Sequence, residues 1–526
     1  MPPPPRPRRS RPEHAHVSTA LAYHAATKYH PSTLGQVPAI YPTRQPLPYK
    51  DYDCAEPIEL AQHLPLDPNP FTGESADPEL ADSPAEGLGL GAISRWLYFT
   101  YGVTGFAQAQ PHPLYLRAAP SAGGLYPAEC YLIARAGVVD LDLEPGLYGY
   151  YPLKHQLVPL WPGEGVAAAL DLACYGDAAV AAAPLALVVS GVFQRSAWRY
   201  QERAYRRVLL DTGHLLGNAC LAATALRLRT HLTSAFCDQR LNQLLRVDEA
   251  EEGALAVCAL NVPGKRERPA WSALPSATPS ADSTTPTPPL MPKLHAAGAL
   301  PEERPRMMAR GEAQGDELEA NYAYAGGEPL DLGEAEGSPL AGAVFETILA
   351  RRSTRAYDAR PFSRAQLARI LAATYAPEQV DLGEQPALAR ALLMTFVAVA
   401  DVDGLDPGVY YFAPHARRLR LLRPGCDRAV VQHLCLTQEL GRDAAATVFH
   451  TADLPRAVEH FGDRAYRYLH LDAGMLGQRL NLAALAEGLG ASGIGGFFDD
   501  EVNGLLGIPE RQAVIYVTTL GVPAEG

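Results

Sequence analysis

The sequence predicts an α+β protein made of two copies of one domain, folded against each other as a pseudo-dimer within a single chain. Three observations carry this. Residues 202–248 and 463–509 align without a gap at a constant offset of 261. Arg203, Tyr205, Arg206, Asp211, Gly213, Phe236, Asp238, Asn242 and Leu245 meet Arg464, Tyr466, Arg467, Asp472, Gly474, Phe497, Asp499, Asn503 and Leu506. Each copy then repeats one order of patterns: helix, strand pair on a Pro-Gly turn, apolar strand, long helix, loop, short helix, last strand. Finally, the long helix is apolar nearly all round, as in "LDAGMLGQRLNLAALAEGLG". A helix of that kind is buried, here between the two domains.

Residues 1–85 are Pro-rich, with one short helical candidate at "STALAYHAATKYH", and read as an N-terminal extension. Residues 86–265 form the first domain. It opens on the helix "SRWLYFTYG" and passes through "PSAGG" into the strand "CYLIA". The strand pair around "PGLYGYYP" and the buried strand "LALVVSGVF" follow, then the long helix around Asp211–Leu226, the loop "LTSAF" and the last strand "ALAVCALNV". Residues 266–340 are Pro/Ser/Thr-rich and then acidic; they cannot bury enough apolar surface to fold alone and read as a linker. Residues 341–526 repeat the domain, with "ARILAATYA", "PGVYYFAP", a long helix around Asp472–Leu489 and "AVIYVTTLGV" as counterparts.

With 526 residues, 47% of them hydrophobic, the chain can bury two cores. Its net charge of -13 argues against nucleic-acid binding. The one basic cluster, "RPRRSR", lies in the Pro-rich tail and reads as a solvated end. The eight cysteines form no CxxC pair and no His cluster has metal-ligand spacing, which points to reduced, buried thiols, no metal and a cytoplasmic protein. No apolar h-region opens the chain. The longest apolar run, 178–193, contains Pro184 and is too short to span a membrane.

Three stretches carry chemistry. "RRSTR" offers Arg351, Arg352, Ser353 and Arg355, a set suited to a phosphate, although a basic helix end reads the same way. "SGIGGF" holds Gly493, Ile494, Gly495 and Gly496; three glycines in four residues exceed what a helix C-cap needs and let a ligand approach the backbone. "PSAGG" supplies Pro120, Ser121, Ala122 and Gly123 just before a strand.

With "RYQERAYRRVLLDTGH", these stretches resemble the nitroreductase-like flavoprotein superfamily, specifically its SagB-type peptide dehydrogenase branch. The resemblance covers both domains. It implies FMN at an interface between subunits, with "RRSTR" gripping the phosphate and the pyrimidine side. "GIGG" would face N5 and O4 of the ring, and "PSAGG" would reach across from the partner. In this chain the parts are divided. The first copy has "ADSPAEGLGLG" and "LTSAF" in place of "RRSTR" and "GIGG", while the second has "ALARALLMTF" and shows no "PSAGG" loop. One composite site is therefore expected where a homodimer has two.

The family's Lys-Tyr pair used in proton removal corresponds to Arg199-Tyr200 in the first copy and to His460-Phe461 in the second. An arginine does not serve as a base, so Tyr200 is the expected catalytic base, with Arg199 as its adjacent cation. The alternative is that Arg199 pairs with an acid and Tyr200 packs. Arg203, Tyr205 and Arg206 occur in both copies, which argues for an interface role. His214 faces Met475 and reads as a packed helix residue. The implied activity is FMN-dependent oxidation of thiazolines or oxazolines in a ribosomally made peptide to azoles, beside a cyclodehydratase partner. The alternatives are an FMN oxidoreductase acting on a small molecule and a flavin-free scaffold.

Overall fold

The computed structural model of the chain describes residues 18–32, 45–52, 56–64, 88–108, 113–136, 143–261, 272–276, 290–305, 329–332, 337–414 and 416–524. Two seven-stranded antiparallel sheets share one plan. The first contains β1 (Ile58–Glu59), β2 (Ala128–Ala134), β3 (Gly146–Tyr151), β4 (Gln156–Pro162), β5 (Leu185–Val192), β6 (Arg229–Thr233) and β7 (Glu252–Asn261), in the order β1-β4-β3-β2-β5-β7-β6. The second contains β8 (Leu330–Asp331), β9 (Leu393–Val399), β10 (Gly408–Ala413), β11 (Arg418–Pro424), β12 (Ala446–Asp453), β13 (Gly490–Ile494) and β14 (Gln512–Gly521). Its order is β8-β11-β10-β9-β12-β14-β13. The copies agree in their irregularities. The register shifts at Val189/Ser190 in β5 and at His450/Thr451 in β12, and at Leu147/Tyr148 in β3 and Val409/Tyr410 in β10.

The central strands of each sheet are buried on both faces. In β2, Cys130, Leu132 and Ala134 point into a core shared by both modules. Tyr131 and Ile133 point the other way, against Val166 and Leu170 of the helix Gly165–Ala173. That explains why the strand reads as an unbroken apolar run rather than an alternation.

The shared core is centred on two 22-residue helices, Ala204–Ala225 and Ala465–Ala486. They start seven residues before the sequence-based ranges. Ala204–Ala223 and Ala465–Ala484 are buried throughout, as the all-round apolar pattern predicts. The helices cross at Gly213 and Gly474, whose backbones touch: a Cβ on Gly474 would lie 2.8 Å from the Gly213 Cα and would run into the Leu210 carbonyl oxygen.

Reciprocal ion pairs flank the crossing. Arg203 and Arg206 reach Asp499 at 2.8 and 2.7 Å, and their counterparts Arg464 and Arg467 reach Asp238 at 2.5 and 2.8 Å. All six side chains are buried. Burial alone would raise both carboxyl pKa values, but the paired arginines outweigh it and hold them below the usual range. The repeated Arg-x-Tyr-Arg set thus acts at the interface between modules, as its presence in both copies suggests.

Two short helices also correspond. Thr19–Ala26 and Leu290–Ala297 both end in "HAA", one in the N-terminal extension and one in the segment read as a linker. The Ala20 amide donates to Asp463 at 2.8 Å, and the Leu290 amide donates to Glu202, the residue aligned with Asp463, at 2.8 Å. Among the described residues, no helix is long and apolar enough to cross a membrane.

Candidate functional site

The three chemical stretches and the Arg199-Tyr200 pair meet at one place between the modules. "RRSTR" starts where the helix Val344–Ala350 ends and runs extended. The Thr354 amide donates to the Ala491 carbonyl at 3.1 Å, which lays "RRSTR" beside the strand leading to "GIGG". Arg351 then crosses to the first module. Its Nε and one terminal nitrogen donate to the carbonyls of Ala118 and Arg117, both at 3.0 Å, just ahead of Pro120.

The "PSAGG" loop is fixed from beneath by the central helix. Asp211 accepts from the Ser121 hydroxyl at 2.6 Å and from the Ala122 amide at 3.1 Å, and the Ser121 oxygen accepts from the Tyr126 amide at 2.8 Å. Gly123 turns the chain with a φ of 67°, a left-handed conformation natural to glycine. A Cβ there would lie 3.0 Å from the Tyr200 hydroxyl and 3.2 Å from the Arg199 Cδ. The candidate catalytic pair therefore stands directly on the loop.

Arg207 completes the ring of contacts, and motif reading missed it. Its guanidinium carbon lies 4.4 Å from the Tyr200 ring centre. On its other side it packs against Gly495 so closely that a Cβ on Gly495 would fall onto it. A signal was present in the repeat, because the gap-free alignment places Arg207 opposite Tyr468, a cation in one copy only.

Several donors converge here without a partner among the described residues. They are one terminal nitrogen of Arg351, the Arg207 Nε and the amides of Gly495 and Gly496, while Ser353 is half-buried and Arg355 is exposed. Burial lowers the pKa of Arg351 to about 10. Side chains at 493, 495 and 496 would strike Tyr516, Arg207 and Leu436. Unpaired buried donors and a narrow glycine-lined backbone fit a planar, doubly charged ligand such as FMN. Arg352 is placed differently from the sequence reading. Its terminal nitrogens donate to backbone carbonyls of Thr104, Leu349 and Arg351, whereas Arg351 keeps one terminal nitrogen unengaged.

The pseudo-symmetric second site is filled by the chain itself. Ser234, the counterpart of Gly495, donates its amide to the Ser272 carbonyl at 2.9 Å. Tyr468, the counterpart of Arg207, exchanges hydrogen bonds with the Leu274 backbone at 2.7 and 3.0 Å, and the Ser276 amide donates to the Phe461 carbonyl at 3.0 Å. Leu274 is fully buried. Part of the segment read as a linker is thus a plug. The second copy does have a loop facing the "PSAGG" position, a correction to the sequence reading. The Leu388 and Ala389 amides donate to Asp472 as Ala122 donates to Asp211, but the loop carries leucine, alanine and arginine. The first-copy counterpart of "RRSTR" falls mostly outside the described residues. His214 is a packed residue, bonded to Gln478 and Tyr516 at 2.8 Å each.

Asp211 provides a test of the loop's anchor. Burial raises its carboxyl pKa to about 7, against the opposing pull of Ser121, Ala122 and Arg207. The folded chain therefore keeps a proton there from about pH 4 to 7 that the unfolded chain releases. The stability this confers is complete below about pH 4 and lost as the pH rises through 7. Wild type should accordingly lose stability relative to Asp211→Asn across that interval, by up to about 1.4 kcal/mol per pH unit. Chemical denaturation of both proteins at pH 4.5 and 7.5 measures this, and a pH-independent difference would contradict it.

The nitroreductase family model matches residues 103–265 and 348–522, one segment in each module. A crystal structure described as that of a nitroreductase from Anabaena variabilis ATCC 29413 is 41% identical, with a TM-score of 0.85 over 97% of this chain and 100% of that one. A curated protein named as a nitroreductase, from Methanocaldococcus jannaschii, is 33% identical over 165 residues, 31% of this chain and 76% of the relative. The microcin B17-processing protein McbC of Escherichia coli is 25% identical over 142 residues, 27% of this chain and about half of McbC, at 52%.

Proposed function

This chain belongs to the nitroreductase family, and we propose that it is an FMN-dependent dehydrogenase that oxidises thiazoline or oxazoline rings of a ribosomally made peptide to azoles at one composite site. The observation that carries the reading is the convergence of Arg351 and the Gly495–Gly496 backbone from one module with the Ser121–Gly123 loop, Arg199, Tyr200 and Arg207 from the other. Likeness to a microcin-processing protein and the Tyr of the Arg199-Tyr200 pair support the azoline substrate, with a cyclodehydratase as the partner that supplies it.

In this reading Arg351, Ser353 and Arg355 hold the FMN phosphate, and the amides of Gly495 and Gly496 meet the polar edge of the ring. FMN, when bound, takes up the hydride equivalent that aromatisation removes. Tyr200 would take the ring proton onto its oxygen as the phenolate, which thereby becomes the phenol. Arg207, stacked on the same ring, is positioned to stabilise the phenolate. The Asp211 contact keeps the loop that faces Tyr200 in place.

Purified protein should be yellow and release about one FMN per chain on heating, because residues 272–276 fill the second site. A ratio near two would contradict the composite site. Arg351→Ala should weaken FMN binding about ten- to a hundredfold, the worth of one charge-assisted phosphate contact. Incubation with a thiazoline peptide should give a mass loss of two hydrogens, read by mass spectrometry.

A further inference from the structure

We propose that Arg199 and Arg207 form a carboxylate receptor, so that the azoline oxidised here is a terminal ring bearing a free carboxylate rather than one that continues into a peptide amide. The inference rests on the reading above and narrows its substrate class.

Two guanidinium groups lie near the Tyr200 ring, the buried Arg207 at 4.4 Å and the exposed Arg199 at 5.8 Å from its centre. Neither has an ion-pair partner among the described residues. Arg207 is 6% exposed and its Nε is unpaired. The acids nearby are already engaged: Asp211 by Ser121 and Ala122, and Glu202 by the amides of Leu290 and Met291. A buried guanidinium without a counter-charge is costly unless a ligand supplies one. At the plugged site the corresponding residues are His460, Phe461 and Tyr468, and a neutral peptide backbone sits against them. The charged version therefore occurs only beside the composite site.

The chemistry favours a carboxylate on the reacting ring. A proton on carbon next to a carboxylate is hard to remove, since negative charge then accumulates beside a group already charged. Two cations that receive the carboxylate offset the charge that develops on the adjoining carbon. Arginine suits the task because its planar fork matches a carboxylate and it stays protonated beside the base. An internal azoline carries a neutral amide at that position and would leave both guanidinium groups without a partner.

The test is equilibrium binding of two non-reacting product analogues, 2-phenylthiazole-4-carboxylate and its carboxamide, to the full chain by calorimetry, with and without added FMN. The carboxylate should bind about ten- to a hundredfold tighter, in both states. Arg207→Met should bring the ratio to within about threefold and Arg199→Met should lower it partway, while Arg207→Lys should retain part of it. Equal binding of the two compounds by wild type overturns the proposal, as does a preference that survives the double Arg199→Met/Arg207→Met variant. Loss of the preference on FMN loading also overturns it, by assigning the pair to the cofactor's phosphate. A carboxylate preference in protein that binds no flavin would sustain the receptor while sinking the flavin reading, so the two failures are distinguishable.

Discussion

Gly474→Leu, with Gly213→Leu as its equal, is expected to cost more stability than any other single substitution at the module interface and to abolish flavin retention with it. The central helices touch backbone to backbone at Gly213 and Gly474, with the hypothetical Cβ of each directed at a carbonyl oxygen of the opposing helix. No side-chain rotation relieves such a contact, because the obstacle is main chain. The helices must separate, and they carry the shared core with them. Overpacking alone costs roughly 1–3 kcal/mol. Separation also stretches the buried pairs of Arg203 and Arg206 with Asp499 and of Arg464 and Arg467 with Asp238, and a broken buried pair costs roughly 3–5 kcal/mol. A loss of about 5 kcal/mol or more is at least a third of the roughly 5–15 kcal/mol that stabilises an ordinary domain. Urea denaturation and retained FMN measure the two effects, and Gly213→Leu should match Gly474→Leu. Gly504→Ala is the control: it sits in the helix Asp499–Leu506 with open space at its Cβ and should be neutral or slightly stabilising. A Gly474→Leu protein with a wild-type midpoint would rule out the tight crossing as a determinant of assembly.

The duplication and the central helices were legible because they rest on patterns that long elements impose. A helix buried on every face has to be apolar on every face, and an ion pair used twice by symmetry leaves its residues in both copies. Short segments leave no such signal. Residues 272–276 have the composition of a linker, and their role as a plug follows from backbone hydrogen bonds to Ser234, Tyr468 and Phe461 that composition does not encode. The helices Thr19–Ala26 and Leu290–Ala297 share three residues at their ends, too few to align, although both are anchored by aligned acids.

Within the site, the sequence identified the stretches and missed the choice of atoms. The three arginines of "RRSTR" are equivalent as letters. The fold turns Arg352 onto backbone carbonyls and leaves Arg351 with a spare buried donor. Arg207 lies within "RYQERAYRRVLLDTGH", but nothing in that stretch singles it out. It gains its place because the helix turn that carries it faces Gly495 and Gly496, which have no side chains to exclude it. The repeat could have revealed it, since complementary loss between copies is visible wherever a charged residue meets an uncharged one at a buried position.

Tyr200→Phe is expected to leave FMN bound and to slow turnover by roughly a hundredfold or more, the scale of a lost general base. The substitution deletes one hydroxyl and keeps the ring that stacks on Arg207 and packs on the core, so folding and flavin content should change little. The counterpart Phe461 lies against Tyr468, with its carbonyl bonded to the Ser276 amide inside the plugged site. Phe461→Ala removes a buried-edge aromatic and should destabilise the chain by a few kcal/mol, roughly 3–5 at most. Activity divided by bound FMN should stay at the wild-type value, because nothing at that site turns over. Rapid-mixing kinetics of azoline oxidation, normalised to flavin, separates the two. Should Phe461→Ala lose normalised activity while Tyr200→Phe keeps it, the catalytic site would be the one that residues 272–276 cover, and the plug would have to open in each turnover. Should both keep it, the proton would leave by a group other than the phenol. Arg199 and Arg207 would then retain a role in holding charge but not in moving a proton, since neither guanidinium gives up its own.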